Sequence, residues 1–224
     1  VVAAICIGAM HLPASLRMQG STVLHELREG WHDFWSRGWL WAIVIQFGVV
    51  NAAEGGVLNV LGPDVAKHHL GGPAAWGAVL TAQSAGLILC GFLMLRWRPR
   101  RILRVATFAA FGIAIVLVAL IGPAPLPVVI GAAFLTGYCM EIFGVLWDTA
   151  VQQEIPQEKL SRISSYDALG SWVLMPIGYI VAGPVAAAAG VRATFIGSAV
   201  LVVVATALEL LTRDVRTHER RVAT

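Results

Sequence analysis

The sequence predicts an all-α, polytopic membrane protein built on six transmembrane helices. Three observations carry that reading. Six apolar runs are each long enough to cross a bilayer core of about 30 Å. The composition is 58% hydrophobic and 13% charged, whereas soluble domains run about 45–50% apolar and about 25% charged. The basic residues alternate from loop to loop. A soluble bundle would show apolar stripes backed by polar faces, but stretches such as residues 201–207 (LVVVATA) have no polar face.

In chain order, residues 1–16 open with the apolar run VVAAICIGAM. It is too short for a span and lacks the basic leader of a signal peptide. It reads as the truncated end of a preceding helix, so the sequence looks cut from something longer. Residues 17–38 form a linker with an amphipathic helix. Leu24, Leu27, Trp31, Phe34 and Trp35 repeat on one side, and Glu26, Arg28, Glu29, Asp33 and Arg37 fill the other. Ser21 or Thr22 caps its start. Such a helix either lies in the membrane surface or covers one face of the bundle. The bundle itself occupies residues 39–212, with spans expected at 39–61, 74–95, 102–121, 126–151, 163–189 and 193–211, followed by a basic tail at 213–224.

The breaks between spans have chemical reasons. Gly62-Pro63-Asp64, Gly71-Gly72-Pro73 and Gly122-Pro123-Ala124-Pro125 stop helices. Arg96, Arg98, Arg100 and Arg101 make a tight basic turn. Gln152-Gln153-Glu154-Ile155-Pro156 opens a polar loop, and Gly190 ends the fifth span. Of the 16 Lys and Arg residues, all but Lys67 and Arg192 fall in one set of loops or flanks. Basic loops stay on the cytoplasmic side, so both chain ends are expected there, as an even number of spans requires. The net charge of +3 is thus a membrane-loop signature, and no nucleic-acid partner is expected.

Ionisable groups inside spans cost at least a few kcal/mol and ask for a reason. On the fourth span Tyr138, Glu141, Asp148 and Gln152 share an arc of about 80°. This polar stripe must face other helices or a water-filled cavity. The first span carries Gln46, Asn51 and Glu54 within an arc of about 140°. The glycines of Asn51-Ala52-Ala53-Glu54-Gly55-Gly56 permit a close backbone approach or a local break. If the two helices line one cavity, Glu54, Glu141 and Asp148 mark successive depths across it and are candidates for proton handling. Asp167 beside Arg162, and Glu209 four residues before Arg213, read instead as structural ion pairs.

On the second span Gly77, Ser84 and Gly91 form a small stripe for close helix contact, while Trp76 and Gln83 reach another side. The fifth span holds Pro176, Gly178, Gly183 and Pro184, a pattern for a kink or hinge. Cys6, Cys90 and Cys139 lie far apart in apolar stretches, as small buried residues. No metalloprotease, nucleophile-elbow or phosphate-loop motif is present, and the six His fall in loops or flanks. His68-His69 in particular reads as a solvated loop pair. No enzymatic activity, metal or cofactor is expected.

At this point the chain resembles the C-terminal six-helix half of a major facilitator superfamily transporter, within the drug and siderophore efflux branch that includes the enterobactin exporter. The residues that carry the likeness run through most of the chain. They are Arg28-Glu29-Gly30-Trp31 before the first span, Gly71-Gly72 with Ala75-Trp76-Gly77, Gln152-Gln153-Glu154-Ile155-Pro156 with Ser161-Arg162, and Pro176-Ile177-Gly178 with Ala182-Gly183-Pro184. The resemblance implies a three-plus-three inverted repeat that rocks against an N-terminal six-helix half, with the first and fourth spans here lining the central cavity. The basic turn is similar to a degenerate form of the family's Gly-x-x-x-Asp-Arg loop, without its Asp. The expected function is proton-coupled efflux, by antiport across the cell membrane, of an amphipathic drug or siderophore. Glu54, Glu141 and Asp148 would handle protons, and Gln46, Asn51, Trp76, Gln83 and Tyr138 would line the substrate cavity. A membrane partner without transport activity, or the remnant of a split transporter, is the alternative.

Overall fold

The computed structural model describes residue 31 and residues 34–97, 99–122 and 124–211. The expected features at 1–16, most of the 17–38 linker, Arg98 and the tail at 213–224 lie outside the described residues. Six helices long and apolar enough to span a membrane follow one another: α1 Gly38–Leu70, α2 Pro73–Met94, α3 Ile102–Ile121, α4 Leu126–Glu154, α5 Gln157–Ala189 and α6 Val191–Leu211. Their outer surfaces are apolar. Ile180 is 73% exposed and Phe92 68%, a surface that water would penalise at about 25 cal/mol per Å². This is a multi-pass membrane protein.

Two span limits differ from the sequence expectation by more than a helical turn. Gly62-Pro63-Asp64 does not stop α1, which carries Pro63 inside it. A helix in lipid tolerates a proline where neighbours pack around the gap, and here the Trp76 ring of α2 lies directly on Gly62. The helix ends instead at Gly71, whose φ of 98° is left-handed, while Gly72 N–H reaches back 2.8 Å to the Ala66 carbonyl. That is the αL glycine cap. His68 and His69 therefore sit on the last turn of α1, not in a loop. The polar run after Pro156 likewise becomes the first turns of α5. That helix is in two pieces, Gln157–Trp172 and Met175–Ala189, with Pro176 starting the second. Pro184 continues within it.

The helix pairs show the inverted repeat. α1 and α5 run parallel and touch backbone to backbone: a Cβ on Gly178 would strike the Ala52 carbonyl, and one on Gly48 the Gly170 carbonyl. α2 and α4 also run parallel and touch in the same way, Gly86 against the Phe134 carbonyl and Gly137 against the Gln83 carbonyl. Exchanging α1-α2-α3 with α4-α5-α6 maps one crossing onto the other. The same exchange maps the α3–α4 contact onto the α6–α1 contact, and α3–α6 onto itself; all of these contacts are present. Helix α1 is the centre, with 67% of its apolar window buried against 6% for α5.

The contact stripe of α2 is Ala75, Val79, Gly86 and Cys90, all buried. It is not the Gly77–Ser84–Gly91 stripe. Gly77 has open space around it and Ser84 is exposed, its hydroxyl bonded 3.0 Å to the Leu80 carbonyl. Gly183 also has open space. At the basic end of the bundle, Phe34 is buried, its ring 6.1 Å from that of Tyr166 on α5, with Trp31 5.7 Å from the same tyrosine. The described part of the amphipathic segment thus covers the bundle, while Trp31 and Trp35 stay partly exposed.

Adding side chains at the two kinds of glycine separates them. Gly86→Val is expected to lower stability by about 1–3 kcal/mol through overpacking, and Gly77→Val to change it by less than about 0.5 kcal/mol. Thermal unfolding in detergent measures both.

Candidate functional site

The middle of α1 departs from regular geometry. Asn51–Gly55 is a π-helical segment, and Glu54 within it stands at the midpoint of Gly38–Leu70. Such bulges are rare and recur at functional sites. Local chemistry supports this one. Widening the turn frees backbone carbonyls, and side chains bond them: Ser198 Oγ of α6 donates to the Ala53 carbonyl at 2.5 Å, and Asn59 Nδ2 to the Gly55 carbonyl at 2.7 Å. Asn51 Nδ2 donates to the Ser171 carbonyl of α5 at 2.8 Å. The segment packs on α5 and α6. Glu54 is only 6% exposed, and its carboxyl has no hydrogen-bond or ion-pair partner among the described residues.

A groove of about 290 Å³ opens between α1, α2, α4 and α5. Its wall is aromatic. Phe47 of α1 stacks on Phe143 of α4, centroids 4.3 Å apart and planes 6° from parallel. Trp147, one turn along α4, continues the stack and meets Trp39 edge-on at 5.7 Å. Trp172 of α5 closes one side and Leu87 of α2 another. The one acid lining it is Asp167, which accepts from Trp147 Nε1 at 2.9 Å and Ser171 Oγ at 3.3 Å. Asp167 takes its hydrogen bonds from these groups, not from Arg162. Asp148, exposed on α4, is near enough to repel it.

The sequence candidates distribute differently from the expectation. Glu54 and Glu141 do not share a cavity. Glu141 is half-buried against α2, where Gly91 makes room: a Cβ there would lie 3.4 Å from Glu141 Oε1. Gln46 turns toward α6 and donates to Thr206 Oγ1 at 3.0 Å. Trp76 covers Gly62 at the far end of the bundle. Gln83 lies at the α2–α4 crossing, its Nε2 3.6 Å from Met140 Sδ. Tyr138 lies beside Leu93 and Arg96. None of Gln46, Asn51, Trp76, Gln83 or Tyr138 lines the aromatic groove. Arg96, Arg100 and Arg101 are exposed on the basic end. Glu209, expected to pair with Arg213, is 3% exposed and meets Thr107 of α3; Arg213 lies outside the described residues.

Sequence reasoning missed Phe47, Phe143, Trp147 and Trp172 because aromatic residues in an apolar run carry no polarity signal. The i,i+4 spacing of Phe143 and Trp147 on the helix with the acidic stripe was the available clue. Asp167→Asn keeps an acceptor for Trp147 and is expected to preserve stability. Asp167→Leu leaves the indole N–H unsatisfied and is expected to cost about 1–3 kcal/mol, read by thermal unfolding and by a shift of tryptophan emission.

Comparison with known proteins fits this architecture. The Major Facilitator Superfamily profile matches residues 2–171 and, overlapping them, residues 44–224. Over 127 residues, 55% of this chain, the sequence is 31% identical to the multidrug efflux pump Tap of Mycolicibacterium fortuitum. That alignment takes in 31% of the relative's length, so the chain spans about a third of the curated relative it matches. With six apolar helices, an inverted repeat and a profile match across nearly its whole length, the chain belongs to the Major Facilitator Superfamily, a family of transporters and not of enzymes.

Proposed function

We propose that the chain forms one six-helix wall of a proton-coupled exporter of amphipathic small molecules, with Glu54 as the group that takes up and releases the proton. The observation that carries this reading is the unpartnered carboxyl of Glu54, buried at mid-helix inside a π bulge. A bare carboxylate at that depth costs at least a few kcal/mol. The neutral acid is the form the closed seam tolerates, and opening the α1–α5–α6 seam lets the proton exchange. The bulge and the adjoining glycine crossing give α1 and α5 a place to shift against each other.

The aromatic groove supplies the substrate surface. Stacked rings hold flat apolar groups through area and geometry, and Asp167 offers one polar contact at the edge. At about 290 Å³ it lies at the small end of ligand sites, which fits a half-cavity completed by an opposing six-helix unit. The relationship to a protein named a multidrug efflux pump supports outward drug transport. The positive-inside rule places the Arg-rich end, and both ends of the chain, on the cytoplasmic side of the cell membrane.

In the full-length protein reconstituted in liposomes, Glu54→Gln is expected to slow pH-gradient-driven transport of a fluorescent amphipathic drug about tenfold or more, with drug binding retained. Glu141→Gln and Asp148→Asn are expected to stay within about threefold of the parent, a difference below ~1 kcal/mol. Unchanged gradient-driven transport in Glu54→Gln overturns the assignment.

A further inference from the structure

A second buried acid lies apart from the route just described. Gln46 of α1, Thr107 of α3, and Thr206 and Glu209 of α6 are all buried where these three helices meet, toward the Arg-rich end. A hydroxyl has one proton to give and two lone pairs that receive. Thr206 Oγ1 gives its proton to the Val202 carbonyl of its own helix, 2.8 Å away, and receives one from Gln46 Nε2 at 3.0 Å. Thr107 Oγ1 does the same on α3, lying 2.9 Å from the Leu103 carbonyl. Glu209 Oε1 lies 2.5 Å from the same hydroxyl, so the single Thr107 proton can serve either the Leu103 carbonyl or the Glu209 carboxyl. The amide of Gln46 always donates. A carboxyl oxygen in the matching position donates only when it carries a proton, and only then does Thr107 keep its own proton on the Leu103 carbonyl.

We propose that Glu209 is a neutral carboxylic acid in the folded protein, its O–H bonded to Thr107 Oγ1, so that the α1–α3–α6 seam is a second proton-holding site distinct from Glu54. Loss of that proton reverses the bond: Thr107 must release the Leu103 carbonyl to donate to the carboxylate. The contact of α6 with α3 is thereby tied to proton occupancy at this end of the bundle. From α1 the groups around Glu209 are Trp41, Ala42, Ile45, Gln46 and Val49, none of which titrates in the physiological range. The basic groups on and beside α3 are Arg101 and Arg104, the latter with its guanidinium 5.8 Å from the Phe108 ring centroid. Arg213, four residues after Glu209, lies outside the described residues. An ionised Glu209 paired with Arg213, with Thr107 donating to it, is the competing arrangement.

Infrared difference spectroscopy of the full-length protein in lipid at neutral pH separates the two. Against a Glu54→Gln background, adding Glu209→Gln is expected to remove one protonated-carboxyl C=O band. Removal of a carboxylate doublet instead overturns the proposal. Thr107→Val keeps the acid but takes away its acceptor, and is expected to move the same band to higher frequency; an unmoved band overturns the proposal too. Should the double variant fail to fold, the Thr107→Val shift decides alone. Neither readout uses transport, so the outcome stands apart from that of the Glu54 experiment.

Discussion

Hydrocarbon offers no hydrogen bonds, and the whole architecture answers to that constraint. Every backbone polar group at membrane depth must find a partner inside the bundle. Six helices meet most of the requirement internally, and the irregular places meet it with side chains. The π segment of α1 frees carbonyls at Ala53 and Gly55, and Ser198 and Asn59 bond to them. Thr81, Ser84, Thr107, Thr149, Thr194 and Thr206 each turn their hydroxyl back to the carbonyl one turn earlier. Glu54 goes against this rule, as Gln46 Oε1 also does among the described residues, and a buried acid of that kind in lipid asks for a functional reason.

The second organising feature is where backbones touch. Without a hydrophobic force between helices in lipid, close packing depends on small residues. The two parallel crossings, α1 on α5 and α2 on α4, are both built on glycines that admit no Cβ. They leave the groove between the four helices free for larger rings. Helices α3 and α6 pack behind, α3 on α4 and α6 on α1, and on each other. This is how a repeat of three helices can serve twice, once in each orientation.

The six spans were legible because hydropathy is a collective property of about twenty residues and tolerates local error. Their ends were less so. Gly62-Pro63 is a reliable stop in water, but α1 is buried along most of its length and its neighbours hold it helical to Gly71. The contact face of α2 was misplaced because that helix carries small residues at several rotational positions. Periodicity finds a stripe without telling which stripe meets a partner. Glu54 stood out as an acid inside a span. The bulge that isolates it depends on partners more than a hundred residues away, at Ser171 and Ser198, which no local pattern reveals. Glu209 was read from its i+4 arginine, which lies outside the described residues; its neighbour Thr107 on α3 is a long-range partner that no local pattern reveals.

Glu54 and Glu141 lie on α1 and α4, helices exchanged by the inverted repeat, and each stands near a glycine crossing. Had the repeat been kept strictly, the two acids would share one environment and one role. They do not. On α4 the helix is regular through Glu141, and Gly91 leaves the carboxyl half-buried with space beside it. On α1 the bulge, Asn51 and the close approach of Gly178 seal Glu54 to 6% exposure. Glu141 is not locked between helices, so nothing around it among the described residues ties its carboxyl to a movement of the bundle. A sealed acid cannot change state without the helices around it changing too. The departure from symmetry, more than the presence of an acid, is what supports the proposal that Glu54 couples a proton to movement of α1 against α5.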